Sequence, residues 1–334
     1  MPQILVEALA KTYRVAERAP GLAGALRGLV WRQWRPVHAL VDVSFSLEAG
    51  ELLAFIGPNG AGKSTTVKIL SGILRPSSGR VEVGGLVPYE DRIRHVARIG
   101  VVFGQRSQLW WDLPIVDGFD LLADIYRVEP ARYRQRRDEL VAMLRLEPLL
   151  AQPVRQLSLG QRMRAEFAAA LLHDPDILFL DEPTIGLDAP SKLAVRDFVR
   201  RLNRERGVTV LLTTHDMQDV EALAERVIVI GQGRLLADGP FASLRAGVLA
   251  ERRLHIDFAG PAPTLDLPGV TVRVGGERSL ELAFDPAKIP TPKLIAAIAT
   301  QHAVEDVHVD EVAIEEVITR FYELHALTEG APEA

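Results

Sequence analysis

"GPNGAGKST" (57–65) follows the short apolar run "LLAFI" (52–56) and precedes a segment of helical character, "TVKILSGIL" (66–74). The spacing GxxxxGK[ST] between a strand and a helix is that of a phosphate-binding loop. Its glycines let backbone amides turn inward around phosphate oxygens, and the start of the following helix adds its dipole. Lys63 is placed to reach β- and γ-phosphates, and Ser64 to offer its hydroxyl to a magnesium ion. Asn59, Gly60, Gly62 and Thr65 complete the phosphate-facing backbone. These residues predict a site for a nucleoside triphosphate and its magnesium ion.

Working outward, "ILFLD" (177–181), "VTVLLTTH" (208–215) and "RVIVIG" (226–231) are further short, β-branched runs that stop at glycine or polar residues. Such near-continuous apolar strands, alternating with helices, predict a parallel sheet covered on both faces, hence an α/β fold. Ligands of these sheets collect beyond the carboxyl ends of the strands, where Gly57, Asp181 and His215 fall. Asp181 can hold the metal through its hydration shell, and Glu182 can take a proton from an attacking water. His215 reads as a contact to the γ-phosphate or as a structural histidine. Gln105, in "VVFGQ" (101–105), carries an amide that can bridge magnesium or water to the helices beyond it. Tyr13 reads either as a ring for stacking on adenine or as packing beside a strand.

A second anion-seeking element lies about a hundred residues further on. In "VRQLSLGQRMRAE" (154–166), Ser158 stands at an N-cap position with Gln161 three residues later, the pattern of a capping box, and Gly160 opens the backbone between them. Free amides and the helix dipole both favour negative charge there.

The 334 residues suit roughly two domains, and 48% hydrophobic with 25% charged residues suits a globular protein with a real core. A net charge of −5 argues against a general nucleic-acid grip, which needs a basic surface. There is no cysteine, which excludes disulfides and thiolate zinc sites and fits the cytoplasm. The longest apolar runs fall far short of the ~20 residues of a membrane span, and the N-terminus lacks the zones of a secretory signal. Residues 106–175 read as a helical subdomain inserted in a sheet domain spanning 1–245. Residues 246–334 read as a small α+β domain, with strands near 253–259, 270–274 and 279–285 and helices over 291–301 and 313–324.

In order, "GPNGAGKST", "VVFGQ", "LSLGQ" (157–161), "ILFLDEP" (177–183), "GLD" (186–188) and "TTH" (213–215) resemble the ATP-binding subunits of ABC transporters over about residues 3–245. The resemblance implies a P-loop NTPase cassette with a mostly parallel sheet and an inserted helical subdomain, binding ATP and Mg2+. It implies a Walker A loop, a Q-loop at Gln105, a signature motif at 157–161 and a Walker B strand with Glu182 as catalytic base. It further implies a D-loop at Asp188, a switch histidine at His215 and an adenine-stacking Tyr13. In this family two copies meet head to tail, and the signature helix of one caps the γ-phosphate held by the other. That would account for the second anion site at Ser158, Gly160 and Gln161. Leu159 departs from the commonest pattern, which has glycine. Integral membrane permease subunits, peripheral association with the cytoplasmic face of the membrane and a homodimer are implied as well. "RSQLWWDLP" (106–114) and "LSLGQRMRAE" look most like type 2 exporters related to drug and antibiotic efflux. A family member acting on ribosomes or DNA is the alternative; such relatives usually carry two tandem cassettes or a long coiled coil. A stand-alone P-loop kinase or GTPase leaves "LSLGQ" and His215 without a role.

Two stretches keep two readings each. Residues 14–38 hold five arginines and one glutamate, with Trp31 and Trp34, and suit either an anionic lipid surface or permease loop, or a surface hairpin or short helix packing its own tryptophans. Trp110 and Trp111 suit either a permease anchor or core packing.

Overall fold

The computed structural model describes residues 2–17, 33–104, 106–248, 252–286 and 288–310. Gln105, Trp31 and the helix expected over 313–324 lie outside the described residues. The chain divides into two compact units at Gly239/Pro240, a few residues before the boundary drawn from composition. The first unit begins with β1 (Ile4–Glu17), β2 (Gln33–Leu47), β3 (Leu52–Ile56), α1 (Lys63–Leu70) and β4 (Ser78–Val83). It continues through α2 (Arg92–Val96), β5 (Ile99–Phe103), α3 (Ile115–Tyr126), α4 (Pro130–Leu144) and α5 (Leu159–Leu171). It ends with β6 (Ile177–Asp181), α6 (Ala189–Arg206), β7 (Thr209–Thr214), α7 (Met217–Leu223), β8 (Arg226–Gly231) and β9 (Arg234–Pro240).

A six-stranded sheet of order β5-β6-β7-β3-β8-β9 forms the centre. Every residue of β3 and β7 is buried, because both faces of this sheet are covered: Phe55 and Leu211 pack on one side against the antiparallel sheet and α1. The register is what builds the site. Phe103 pairs with Asp181, Asp181 with Thr213, and Phe55 with Thr213, so four strands end at one level. The turns that follow at 57, 104, 182 and 215 therefore emerge side by side. An antiparallel sheet of order β2-β1-β4 packs Leu9, Leu40, Val43 and Leu47 into the same core as Phe55, Ile69 and Phe179.

Part of the basic insertion is hairpin stem: β1 and β2 stay paired out to Glu17↔Gln33, with Trp34 half exposed. The helical subdomain holds α3, α4 and α5. Glu129 caps α4 by accepting the amides of Ala131 and Arg132, with Pro130 opening the helix.

Two imidazoles, His95 of α2 buried and His173 partly buried, pack against their neighbours. His173 stacks on Tyr126 with 3.9 Å between ring centroids and sits 2.9 Å from the Ile99 carbonyl. His95 is almost fully buried. Burial pushes both below the ordinary imidazole value. Each is thus neutral in the folded chain, and as pH falls through about 6.5 the unfolded chain takes up the protons first. Stability from these groups is complete above that value and lost below it. The urea midpoint is expected to fall as pH drops from 7.5 to 5.5; a midpoint that rises over that window contradicts the assignment. Every tryptophan of the sequence lies in the first unit, so tryptophan emission reports on that unit.

The second unit contains α8 (Phe241–Val248), β10 (Arg252–Phe258), β11 (Val270–Val274), β12 (Ser279–Phe284), α9 (Thr291–Gln301) and β13 (Val304–Asp310). Its sheet has the order β11-β12-β10-β13, and Leu254, Ile256, Leu282 and Phe284 meet Leu294 and Ile298. β13 was not expected from the sequence. "VEDVHVD" is rich in charge because it is an edge strand, paired among the described residues to β10 alone, and charged side chains suit an open edge.

Candidate functional site

The phosphate loop connects β3 to α1, and its glycines are fixed by what surrounds them. A Cβ on Gly57 would collide with the Ile230 carbonyl oxygen on β8. Gly62 takes φ 111°, and a Cβ there would stand 2.8 Å from the Ala39 carbonyl of β2. Gly60, at φ +83°, faces open space. Asn59 is exposed at the crest, and Thr65 is half buried in the first turn of α1.

Lys63 is buried, and its ammonium donates to the carbonyls of Gly57 at 2.6 Å and Pro58 at 3.1 Å. Glu182 Oε1 lies 3.8 Å away. Burial pulls the ammonium below the ordinary lysine value, while Glu182 and Asp181 pull it back up. Ser64 Oγ donates to Asp181 Oδ1 at 3.0 Å, and Thr213 Oγ1 donates to the same oxygen at 2.6 Å. A serine hydroxyl and a carboxylate side by side at the head of a helix form a hard-oxygen donor set. That fits magnesium, which takes one or two protein oxygens and completes its shell with water and phosphate.

Glu182 carries the backbone strain of the site. It is a non-glycine residue at φ 53°, a sparsely populated region, at the tip of β6. Neighbouring elements hold it there: its amide donates to the Thr213 carbonyl at 2.9 Å, and Gly104 N donates to the Asp181 carbonyl at 2.9 Å. A Cβ on Gly104 would run into the Glu182 carbonyl oxygen. His215, half exposed, brings Nδ1 to 3.2 Å from Glu182 Oε1. Lys63, Ser64, Asp181, Glu182 and His215 are thus one connected cluster.

The Ser158 end of α5 is built separately. Gln161 N donates to Ser158 Oγ at 3.2 Å, and Ser158 N donates to Gln161 Oε1 at 2.9 Å, which closes the capping box. Gly160 is pressed against Ser191, whose Oγ leaves no room for a Cβ. Asp188 caps α6 by accepting Ser191 N at 3.2 Å. Leu159 Cδ2 reaches toward Gly186, 3.2 Å from where a Cβ would sit. The side chain that departs from the common pattern therefore leans on its own chain's 186–188 turn. Among the described residues, no hydrogen bond or ion pair joins Ser158 or Gln161 to the Lys63 cluster. Tyr13 sits half buried on β1 opposite Val37, with Lys11 Nζ 5.4 Å from its ring centroid.

The ABC transporter family matches residues 40–185. The daunorubicin resistance ATP-binding protein DrrA3 of Streptomyces coeruleorubidus is 37% identical over 239 residues, covering 70% of this chain and 75% of that protein. The chain belongs to the ATP-binding subunits of ABC transporters. A fluoroquinolones export ATP-binding protein of Mycobacterium tuberculosis is 32% identical over 293 residues, covering 87% of this chain and 90% of that one. Among solved structures, a dimeric post-hydrolysis state of the ATP-binding cassette MJ0796, bound to ADP and Pi, matches with a TM-score of 0.59. It is 27% identical and covers 71% of this chain and 98% of that one. This ABC subunit is an ATPase that uses ATP with Mg2+.

Three groups of the subunit were not singled out from sequence. Thr213 lies within the quoted "TTH" and shares Asp181 with Ser64. Asp219, fully buried, receives Arg196 Nε at 2.6 Å, Thr214 Oγ1 at 3.2 Å and Thr184 Oγ1. Glu166 is buried in α5. An acid facing a helix's apolar side is the signal that could have marked Asp219 and Glu166.

Proposed function

We propose that this chain is the motor subunit of an exporter: two copies close head to tail around two Mg-ATP and drive separate membrane-embedded permease subunits from the cytoplasmic face. One observation carries the reading. The capped end of α5, with Ser158 exposed and Gly160 buried just behind it, joins no phosphate site of its own copy among the described residues. A second copy's γ-phosphate is its natural ligand.

In this reading Lys63 and the amides of Gly60 and Gly62 hold the phosphates, with Asn59 and Thr65 beside them, and Tyr13 stacks on the adenine. Ser64 and Asp181, together with Gln105, would hold the magnesium ion, whose chemistry when bound is to neutralise charge on the β- and γ-phosphates. Glu182 accepts a proton from the water that attacks the γ-phosphorus, as the bond to the bridging oxygen breaks and ADP leaves with that electron pair. His215, 3.2 Å from Glu182, orients that carboxylate. Asp188 and the α5 terminus face the partner copy. Hydrolysis removes the ligand that both faces share, and the equilibrium shifts toward the open pair. The names of the relatives, daunorubicin resistance and fluoroquinolones export, support an efflux role. Among the described residues no helix is long and apolar enough to cross a membrane, which agrees with a separate permease.

The test uses the full chain carrying Glu182→Gln. With saturating Mg-ATP it is expected to run as a dimer in light scattering and to return to monomer when ATP is exchanged for ADP. A strictly monomeric ATP-loaded protein would overturn the head-to-tail reading.

A further inference from the structure

The segment that follows Gln105 is fastened to both flanks of the signature motif. Trp111 O accepts Arg155 N at 3.0 Å, Leu113 O accepts Val154 N at 3.1 Å, and Ile115 N donates to the Gln152 carbonyl at 3.2 Å. Arg155 NH1 meets Asp112 Oδ1 at 2.7 Å, and the Arg162 guanidinium lies 5.7 Å from the Trp111 ring centroid. Beyond Ser158, about two helical turns into α5, Glu166 makes the innermost connection. Its carboxylate accepts Ser107 Oγ and the amide of Gln108, the latter at 3.0 Å. Gln108 Nε2 returns a bond to the Glu166 carbonyl at 3.1 Å.

These fastenings differ in worth. The Arg155–Asp112 pair is exposed on both sides and contributes little. Glu166 is only 3% exposed, so its carboxylate depends on Ser107 and Gln108 for the hydrogen bonds that water would otherwise supply. The two exposed tryptophans at 110 and 111 and the Ser158 cap thus sit on one bonded body, with Glu166 at its buried centre.

We propose that Glu166 is a positioning residue: through Ser107 and Gln108 it makes the 107–114 segment and the helix presenting Ser158 move together in the ATP cycle. The proposal rests on the reading above, that Ser158 serves the nucleotide of a second copy. Glu166, buried and bonded to Ser107 and Gln108, sets where the helix end stands when the copies close.

The experiment uses the full chain with Trp31→Phe and Trp34→Phe, so that emission comes from Trp110 and Trp111 alone, and with Glu182→Gln to hold ATP. Mg-ATP is titrated while light scattering follows dimer formation and emission follows the tryptophans. The expected result is an emission change in step with dimerisation, largely lost in Glu166→Gln and, separately, in Ser107→Ala, both of which still dimerise. With Glu182 restored, the same two substitutions lower kcat by about 2- to 10-fold, the worth of one hydrogen bond, and leave KM for ATP unchanged. Ser107 is exposed, so its variant keeps the test open should Glu166→Gln fold poorly. An undiminished emission change in Ser107→Ala, or a raised KM at constant kcat, overturns the proposal while leaving the dimer reading intact. Absence of a dimer in the parent background removes the dimer reading and, with it, this one.

Discussion

Replacing Glu182 with Gln is expected to lower the maximal rate of ATP hydrolysis by roughly 10² to 10⁴, the usual scale for a general base, while ATP still binds. The substitution keeps the length and planarity of the side chain, so the strained backbone at φ 53° and its bond to Thr213 have no reason to change. What disappears is the ability to accept a proton. Charge points the same way for affinity: an anion 3.8 Å from the Lys63 ammonium competes with phosphate for that cation, and its removal does not weaken the hold on ATP. Steady-state turnover and equilibrium ATP binding, measured on one preparation, separate the two effects. Near-normal hydrolysis would take Glu182 out of the role of base.

Asp219→Ala is expected to cost about 3 to 5 kcal/mol of stability, because it strands a buried guanidinium. Arg196 donates Nε to Asp219 at 2.6 Å, and its next carboxylate, on Asp216, is 3.6 Å from NH2. NH2 of Arg196 has no hydrogen-bond partner of its own among the described residues. Thr184 and Thr214 would lose their shared acceptor at the same time, one just after Glu182 and the other just before His215. Loss of stability and loss of catalytic order should therefore appear together. Urea unfolding followed by tryptophan emission reads the unit that carries Asp219, and a change below about 1 kcal/mol would mean that Arg196 finds another partner.

Much of this was legible from sequence for a physical reason. Buried parallel strands must be apolar along their whole length, so β3, β6, β7 and β8 stand out as runs, and the polar residue that ends each run marks the ligand edge. The capping box at Ser158 and Gln161 is local chemistry with fixed spacing. The basic stretch at 14–38 was half legible: its ends continue the strands of a hairpin, which follows from pairing across an intervening segment rather than from composition. β13 was missed because edge strands are selected for charge as much as for alternation. Asp219 and Glu166 escaped for a different reason. A buried carboxylate is defined by partners 35 and 59 positions away, Thr184 and Ser107, and no local pattern carries that information. The direction taken by Leu159 is likewise set by Gly186, in another turn altogether.

The reciprocal bonds between Ser158 and Gln161 also bear on how a closed pair comes apart. A helix start normally leaves several amide hydrogens unpaired, yet here the cap and its third residue are already provided for within the copy. Among the described residues, of the first amides of this helix only those of Leu159 and the buried Gly160 have no bond of their own, so separation exposes no long row of thirsty donors. The grip is narrow by construction, and a narrow grip lets go quickly. Repeated engagement and disengagement, rather than a permanent clasp, is what such a helix end is suited to.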